Sequence, residues 1–317
     1  MAKKVAKAKF PGKVGVIGAG PVGSVVAAHF AKAGYKVVLC DVVEALLAPA
    51  KKPGITIEGT SNFRAPVAEV LRSVDEMAKD PPDLIFVTVK ATALPLIASA
   101  IESFHKPGIS VVSWQNGVDT EVVLAEHISE KDVFRAVVNF GVNLKAPGHV
   151  YMAFHHPPHW LQEVHEDGHA RAAEICAVLT EVGLPTRHAD RIADKIWQKV
   201  ILNAALSSIC AVSGKTMSAA LQDPYLYEMV ELLVKEGITV ARANEIMLGF
   251  DFFRQAMKYL STAGDHKPSM LIDIEMKRIT EVDYINGQIV KYAERAGIAA
   301  PYNKMIRALV KTLEPGR

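Results

Sequence analysis

The stretch Gly18–Gly23, "GAGPVG", constrains this chain more than any other. It follows the apolar run "KVGVI" and opens "PVGSVVAAHFAKAG", whose helical spacing stops at Gly34. Glycines at G-x-G-x-x-G spacing, between a strand and a helix at the start of an alternating unit, are the signature of a dinucleotide-binding turn. Gly18 permits the tight turn, Gly20 lets the backbone approach a pyrophosphate, and Gly23 allows close helix–strand packing. Ala19, Pro21 and Val22 complete the loop and the first helical turn, whose N–H groups attract an anion. The alternative is a packing turn that binds nothing.

Past Gly34 the chain keeps alternating. "YKVVLCD", "GITIEG" with "FRAPVAEV", "PDLIFVTVK", "GISVVSWQNG", "DVFRAVVNFG", "GHVYMAFHH" and "LPTRHAD" read as strands, with helices at "TALPLIASAIESF" and "ARAAEICAVLTEVG". Val- and Ile-rich strands alternating with helices predict an α/β domain, a Rossmann-type, doubly wound and mostly parallel sheet. From about Asp190 only helical spacing remains, in "RIADKIWQKVILNAALSSICAV", "DPYLYEMVELLVKEGITVARANEI", "KPSMLIDIEMKRITEVDYINGQIV" and "APYNKMIRALVKTL". The expected organisation is a basic tail over 1–12, a dinucleotide-binding domain over 13–189 and an all-helical domain over 190–317.

A net charge of +2 gives no reason to invoke nucleic acid. No apolar run reads as long enough to span a membrane. The basic start "MAKKVAKAKF" lacks an apolar signal core and reads as a frayed tail. Cys40, Cys176 and Cys210 are widely spaced, without metal or redox-motif spacing, so a reducing, cytoplasmic setting is expected.

Three polar residues stand at carboxyl ends of strands, where open α/β sheets bind ligands. Asp41 ends the second strand and is either the acid that bonds a ribose 2′-OH, favouring NAD(H), or a turn former. Lys90 closes "LIFVTVK" and either faces the cofactor or is a solvated strand end. Asn116, in "QNG", either faces the ligand or serves an Asn-Gly turn. Lys51 and Lys52 lie further on and could reach a phosphate.

The helix "RIADKIWQKVILNAALSSICAV" is apolar nearly all round, yet Lys199, Asn203 and Ser207 fall at i, i+4 and i+8 on one face. Burying an unpaired ammonium costs several kcal/mol. The stripe therefore lines a cleft or meets partners, unless the helix is a surface one. A lysine against an apolar wall suits a general acid near neutral pH.

Lys267–Val290 reads as one unbroken helix with a wide apolar arc through Leu271, Ile274, Val282, Ile285 and Ile289, and also Met276 and Ile279. Ser269 stands at its start as a natural cap. Glu275 and Arg278 form an i, i+3 pair, which with Asp283 reads as a structural network. Glu281 lies at the edge of the arc.

The glycine loop, "TVK", "QNG", "WQKVILN" and "KPSMLIDI…RITEVDYING", in this order, resemble the ketopantoate reductase (2-dehydropantoate 2-reductase) family, over nearly the whole chain from Lys13. The resemblance implies a Rossmann domain joined to a helical domain with the active site between them. It implies NADP(H)-dependent reduction of 2-dehydropantoate to pantoate, on the way to pantothenate and coenzyme A. Lys199 is then the catalytic acid and Glu281 the supporting catalytic carboxylate, also touching the cofactor. Asn203 and Ser269 match substrate-binding positions, and Lys90 and Asn116 match residues at the cofactor–substrate junction. The sequence departs from the family pattern in three places. Ser207 stands where many members have asparagine, "GKTMS" replaces a region with another, and Asp41 stands where NADP-using members commonly have arginine. A reductase of another 2-keto acid, and a non-catalytic dinucleotide sensor, are the competing readings. The apolar helices could serve a homodimer or be core.

The segment 149–169, "HVYMAFHHPPHWLQEVHEDGH", holds six of the eleven histidines. Pro157 and Pro158 interrupt it and no acid or cysteine has metal-site spacing, so it reads as a polar strand-and-loop segment with no metal.

Overall fold

The computed structural model describes Phe10–Gly316; the first nine residues of the expected basic tail lie outside the described residues. Cα packing divides the chain into two compact units. One runs through Gln115 and resumes over Thr120–Ile192; the other takes Asn116–Asp119 with the chain from Ala193 onward. The expected sequence boundary at 189/190 falls three residues before that division, and the four residues after Gln115 belong with the helices.

The first unit contains strands β1 (Lys13–Ile17), β2 (Lys36–Cys40), β3 (Ile55–Gly59), β4 (Phe63–Ala65), β5 (Glu69–Leu71), β6 (Leu84–Val87), β7 (Ser110–Ser113), β8 (Val133–Val137), β9 (Phe140–Ala146), β10 (His149–His155), β11 (His159–Glu163) and β12 (Thr186–His188). Its helices are α1 (Pro21–Lys32), α2 (Glu44–Pro49), α3 (Leu94–Glu102), α4 (Thr120–Ala125) and α5 (His169–Glu181). Eight strands form one sheet in the order β12-β11-β8-β7-β6-β1-β2-β5. Every pair is parallel except β8 with β11. The strand order reverses between β1 and β6, the place where a doubly wound sheet opens a crevice at its carboxyl ends.

Both faces of this sheet are covered. Val14, Val16, Leu84, Phe86 and Val112 point into one core with α1 and α5, while Ile17, Ile85, Val87 and Val111 point into the other with α3. Neighbours along each strand alternate between the cores, as a two-residue period requires. A separate four-stranded sheet, β4-β3-β10-β9, adds its inward residues Ile55, Ile57, Val150 and Met152 to the first core. The sequence shows these strands but not that they form a second sheet: β3 pairs with β10 across a long sequence separation, and local patterning carries no information about such partners.

The second unit holds α6 (Ile192–Ser213), α7 (Met217–Gln222), α8 (Pro224–Ala243), α9 (Phe252–Leu260), α10 (Ser269–Glu275), α11 (Asn286–Arg295) and α12 (Pro301–Leu313), with no strand among its described residues. By length and composition α6 could cross a membrane, contrary to the expectation that no apolar run reaches that length; 67% of the window concerned is buried inside the structure, as in the central helix of a helical domain.

The expected single helix over Lys267–Val290 is two helices. α10 stops at Glu275, Lys277 takes a left-handed φ of 51°, and the Arg278 amide donates back to the Asp273 carbonyl at 2.8 Å. This last bond closes the helix end as a capping turn does. The Thr280 amide and hydroxyl then go to the carboxylate of Glu314, at 2.9 and 2.7 Å, so a distant acid takes a backbone donor that a continuous helix would use internally. Met276 and Ile279, counted in the apolar arc, are 61% and 43% exposed. Residues on this kinked stretch do not share one helical face, so the arc is not a surface of the molecule.

Candidate active site

The three glycines of the loop sit in different surroundings. Gly18 has φ +106°, and its amide donates to the Cys40 carbonyl at 2.8 Å. A Cβ at Gly18 would lie 2.9 Å from the Val89 nitrogen, and one at Gly23 only 1.8 Å from the Gly18 carbonyl oxygen. A Cβ at Gly20 would meet nothing within 4 Å. The outer glycines are therefore fixed by packing, while Gly20 leaves open space beside the backbone that begins α1, the room a pyrophosphate needs. Gly20 is the residue that caps α1, Pro21 follows at its first position, and no side chain caps the helix. Thr88, just past β6, places its hydroxyl 2.9 Å from the Ile17 carbonyl and 3.0 Å from that of Gly18. It braces the loop, a role that no local sequence signal assigns to it.

Asp41 sits one residue past β2. One carboxylate oxygen accepts from the Ala19 amide at 2.7 Å and the other from the Val43 amide at 2.8 Å. The acid thus ties the glycine loop to the next turn, and each oxygen retains a second lone pair. Lys90 is half-buried and precedes the short 3₁₀ turn Ala91–Ala93, whose last amide donates to its carbonyl at 2.9 Å. Lys51 and Lys52 are exposed.

In the helical unit, α6 explains its own composition. Ile196, Trp197, Val200, Ile201 and Ala204 are 0–3% exposed. On the same helix Lys199 and Asn203 are half-buried and Ser207 is 7% exposed, so the polar stripe becomes more enclosed along its length. A buried polar chain holds this helix to its neighbours. Asn286 donates to the Ala204 carbonyl and to Asn303, both at 3.0 Å, and the Asn303 amide and side chain donate to Glu236 at 2.7 and 2.8 Å. Asn203 is thereby seated beside a fixed backbone carbonyl.

Glu281, half-buried, lies in the turn between α10 and α11. Its carbonyl accepts from the Tyr284 amide at 2.9 Å, and the preceding Thr280 is held by Glu314. Burial, then the charges of Asp283 and Glu281, push the Tyr284 phenol up, so it stays a protonated donor. The turn carrying Asn116 packs on this one. The Val118 amide donates to the Tyr284 carbonyl at 3.1 Å, and a Cβ on Gly117 (φ +109°) would come within 2.9 Å of the Tyr284 carbonyl oxygen. Asp119 accepts from the Tyr292 hydroxyl at 2.7 Å. Asn116 and Glu281 are thus on adjoining turns. No sequence signal links "QNG" to "DYING" beyond the glycine itself. Just before Asn116, the Gln115 carbonyl accepts from buried Arg135 at 3.0 Å.

Ser269 is exposed and does not cap α10: Pro268 holds the cap position, and no side-chain cap bond forms. Arg278 pairs with buried Asp273 at 3.2 Å rather than with Glu275, which pairs with Lys267 at 2.6 Å. The break after Glu275 removes the i, i+3 geometry. Asp283 does serve a structural network, with Arg307 and Lys311 at 2.7 and 2.9 Å.

With the geometry in view, comparison with known proteins defines the class. Residues 14–165 match the family model described as Ketopantoate reductase PanE/ApbA, and residues 191–314 match its C-terminal model. The chain belongs to the ketopantoate reductase family, and it is an oxidoreductase of that family. It is 32% identical over 305 residues to a 2-dehydropantoate 2-reductase of Archaeoglobus fulgidus, covering 96% of this chain and 98% of that one. A D-mandelate dehydrogenase, solved with NADH and anilino(oxo)acetate, superposes with TM-score 0.86 at 26% identity, over 95% of this chain and 97% of that one. A ketopantoate reductase from Ralstonia eutropha gives TM-score 0.84 at 26% identity, with coverages of 95% and 98%.

Proposed function

We propose that the protein reduces a 2-keto acid to the 2-hydroxy acid with a nicotinamide dinucleotide, with 2-dehydropantoate the first candidate and pantoate its product. The observation that carries this reading is the stripe on α6: Lys199 and Asn203, half-buried and polar, on a helix whose Ile196, Trp197, Val200, Ile201 and Ala204 are in the core. Gly18, Ala19, Gly20, Pro21, Val22 and Gly23, with Asp41 and Lys90, would hold the cofactor, which when bound supplies the hydride. As the carbonyl carbon accepts it, negative charge develops on the oxygen. Lys199 stabilises that charge and donates a proton to give the alcohol, then recovers one from solvent. Asn116, Asn203, Ser207 and Ser269 orient the keto acid, and Glu281 supports Lys199 and the cofactor.

Two features favour NADH over the NADPH implied by family resemblance. An acid just past β2, here Asp41, is expected to bond a ribose 2′-OH and repel a 2′-phosphate, and the similar D-mandelate dehydrogenase was solved with NADH. Ser207 and that same neighbour also support a second reading, a bulkier 2-keto acid such as a phenyl-substituted one. Three buried free thiols, Cys40, Cys176 and Cys210, support a cytoplasmic setting. Steady-state turnover with NADH and NADPH, against 2-dehydropantoate and a panel of 2-keto acids, tests the proposal. Turnover of 2-dehydropantoate at high kcat/KM is expected. Dominant activity on another keto acid replaces the substrate, and tight cofactor binding with no oxidation on any of them would leave a sensor.

A further inference from the structure

The histidine-rich segment contributes to a cluster that the reductase chemistry does not use. Glu163 ends β11, His188 ends β12 and His169 opens α5. β11 and β12 run parallel with Leu161 opposite His188, and Glu163 lies on the same face of its strand as Leu161. His169 Nδ1 is 3.0 Å from one oxygen of Glu163, and His188 Nε2 is 2.7 Å from the other. The rings meet edge-on with centroids 4.8 Å apart. One donor atom from each residue lies within 4.8 Å of the other two. The sequence shows no ligand set here because His188 lies outside the segment and arrives through strand pairing.

We propose that Glu163, His169 and His188 form a binding site for a divalent transition metal, zinc being the best match. Two imidazoles and a carboxylate are zinc's ordinary donors, with a fourth position left for water. Tetrahedral bonds of about 2.0–2.1 Å place donors about 3.3 Å apart. The 3.0 and 2.7 Å contacts run to different oxygens of Glu163, and a three-donor set within 4.8 Å needs only side-chain adjustment to close on an ion. Each ring binds through the nitrogen now facing Glu163 and carries its proton on the other one. For His188 that other nitrogen is Nδ1, which has the exposed Asp190 carboxylate 3.8 Å away, beyond hydrogen-bond distance. Burial pushes the Glu163 carboxyl up, but hydrogen bonds from its own backbone, His169 and His188 outweigh this and lower it. Cys176, on α5, is a buried free thiol outside this cluster. The ion would clip together β11, β12 and the start of α5. Gln162 already pins the chain there, donating to the Asp190 carbonyl and accepting from the Ile192 amide, both at 2.9 Å.

The test is calorimetric titration of the metal-stripped, full-length chain with Zn²⁺ at neutral pH, with Co²⁺ absorption as a second readout. One ion per chain is expected. His188→Ala and Glu163→Gln should each weaken binding at least about tenfold. His169→Ala, at an exposed side chain, carries the same expectation with little risk to the fold. His156→Ala, which alters an exposed histidine outside the cluster, should bind as the parent does, and zinc should raise the thermal midpoint of the parent and of this control only. Absence of stoichiometric binding overturns the site, as does binding that survives His188→Ala or is lost in His156→Ala. None of these readouts depends on reductase turnover.

Discussion

The Val118 amide donates to the Tyr284 carbonyl at 3.1 Å, and this bond joins the turn carrying Asn116 to the turn carrying Glu281. It is possible because Gly117 presents no side chain. Its φ of +109° disfavours any L-residue, and a Cβ would press within 2.9 Å of both the Tyr284 Cβ and its carbonyl oxygen. Gly117→Ala should therefore lower stability by about 1–3 kcal/mol through backbone strain and reduce turnover by displacing Asn116. Thermal denaturation and kinetics on the same preparation check this. Unchanged turnover in a folded variant would separate Asn116 from the reaction.

Lys199 is the group on which the proposed chemistry depends. Lys199→Ala should cut kcat by about 10²–10⁴-fold, the usual scale for losing a positioned acid, while NAD(P)H binding measured by fluorescence stays near the parent value. Near-parent kcat would remove Lys199 from the proposed role. Lys199→Arg should recover little, because a guanidinium keeps the charge but does not release its proton near neutral pH.

Asp41 makes two predictions at once, since its oxygens serve the Ala19 and Val43 amides and would face the adenosine ribose. Asp41→Ser removes the negative charge and keeps a short acceptor. The ratio of kcat/KM for NADPH to that for NADH should rise by about tenfold or more, as about 1.4 kcal/mol of repulsion would give. The variant should also lose some thermal stability, because one hydroxyl cannot serve both amides. A ratio that does not move would make Asp41 a brace of the loop only.

The two classes of domain were legible because periodicity is a local property. Strands such as β1 and β6 alternate between two cores, and α6 is apolar on nearly every side. The spacing of the glycine loop was legible for the same reason, whereas its packing against Thr88 and Val89 was not. Glu281 was singled out, but its surroundings were not foreseen. The turn that holds it depends on Thr280 meeting Glu314 and on Tyr284 meeting Val118, contacts between residues far apart in the chain. Nothing in the spacing of "MKRITEVDYING" competes with its helical appearance until those distant partners are present. The second sheet and the meeting of His188 with Glu163 were hidden for the same reason.

The partner that breaks the expected helix also gives the fold a pH dependence. Glu314 is 6% exposed; its carboxylate accepts from both donors of Thr280 and pairs with Lys311 at 2.6 Å. Burial pushes its carboxyl up, but the hydrogen bonds from Lys311 and Thr280 outweigh that and hold it below the ordinary carboxylate range. Asp283 is lowered in the same way, burial being overcome by Lys311 and Arg307, although its greater exposure makes it the weaker contributor. A carboxyl depressed in the folded state means that the unfolded chain binds more protons, so stability rises with pH across that interval. The contribution is complete above the unfolded value and is lost as pH falls through the folded one. Denaturant melts should therefore show stability declining from about pH 5 towards pH 3. Glu314→Gln should cost about 1–3 kcal/mol at neutral pH and flatten that decline. An equally steep acid slope in Glu314→Gln would mean that other carboxylates carry it.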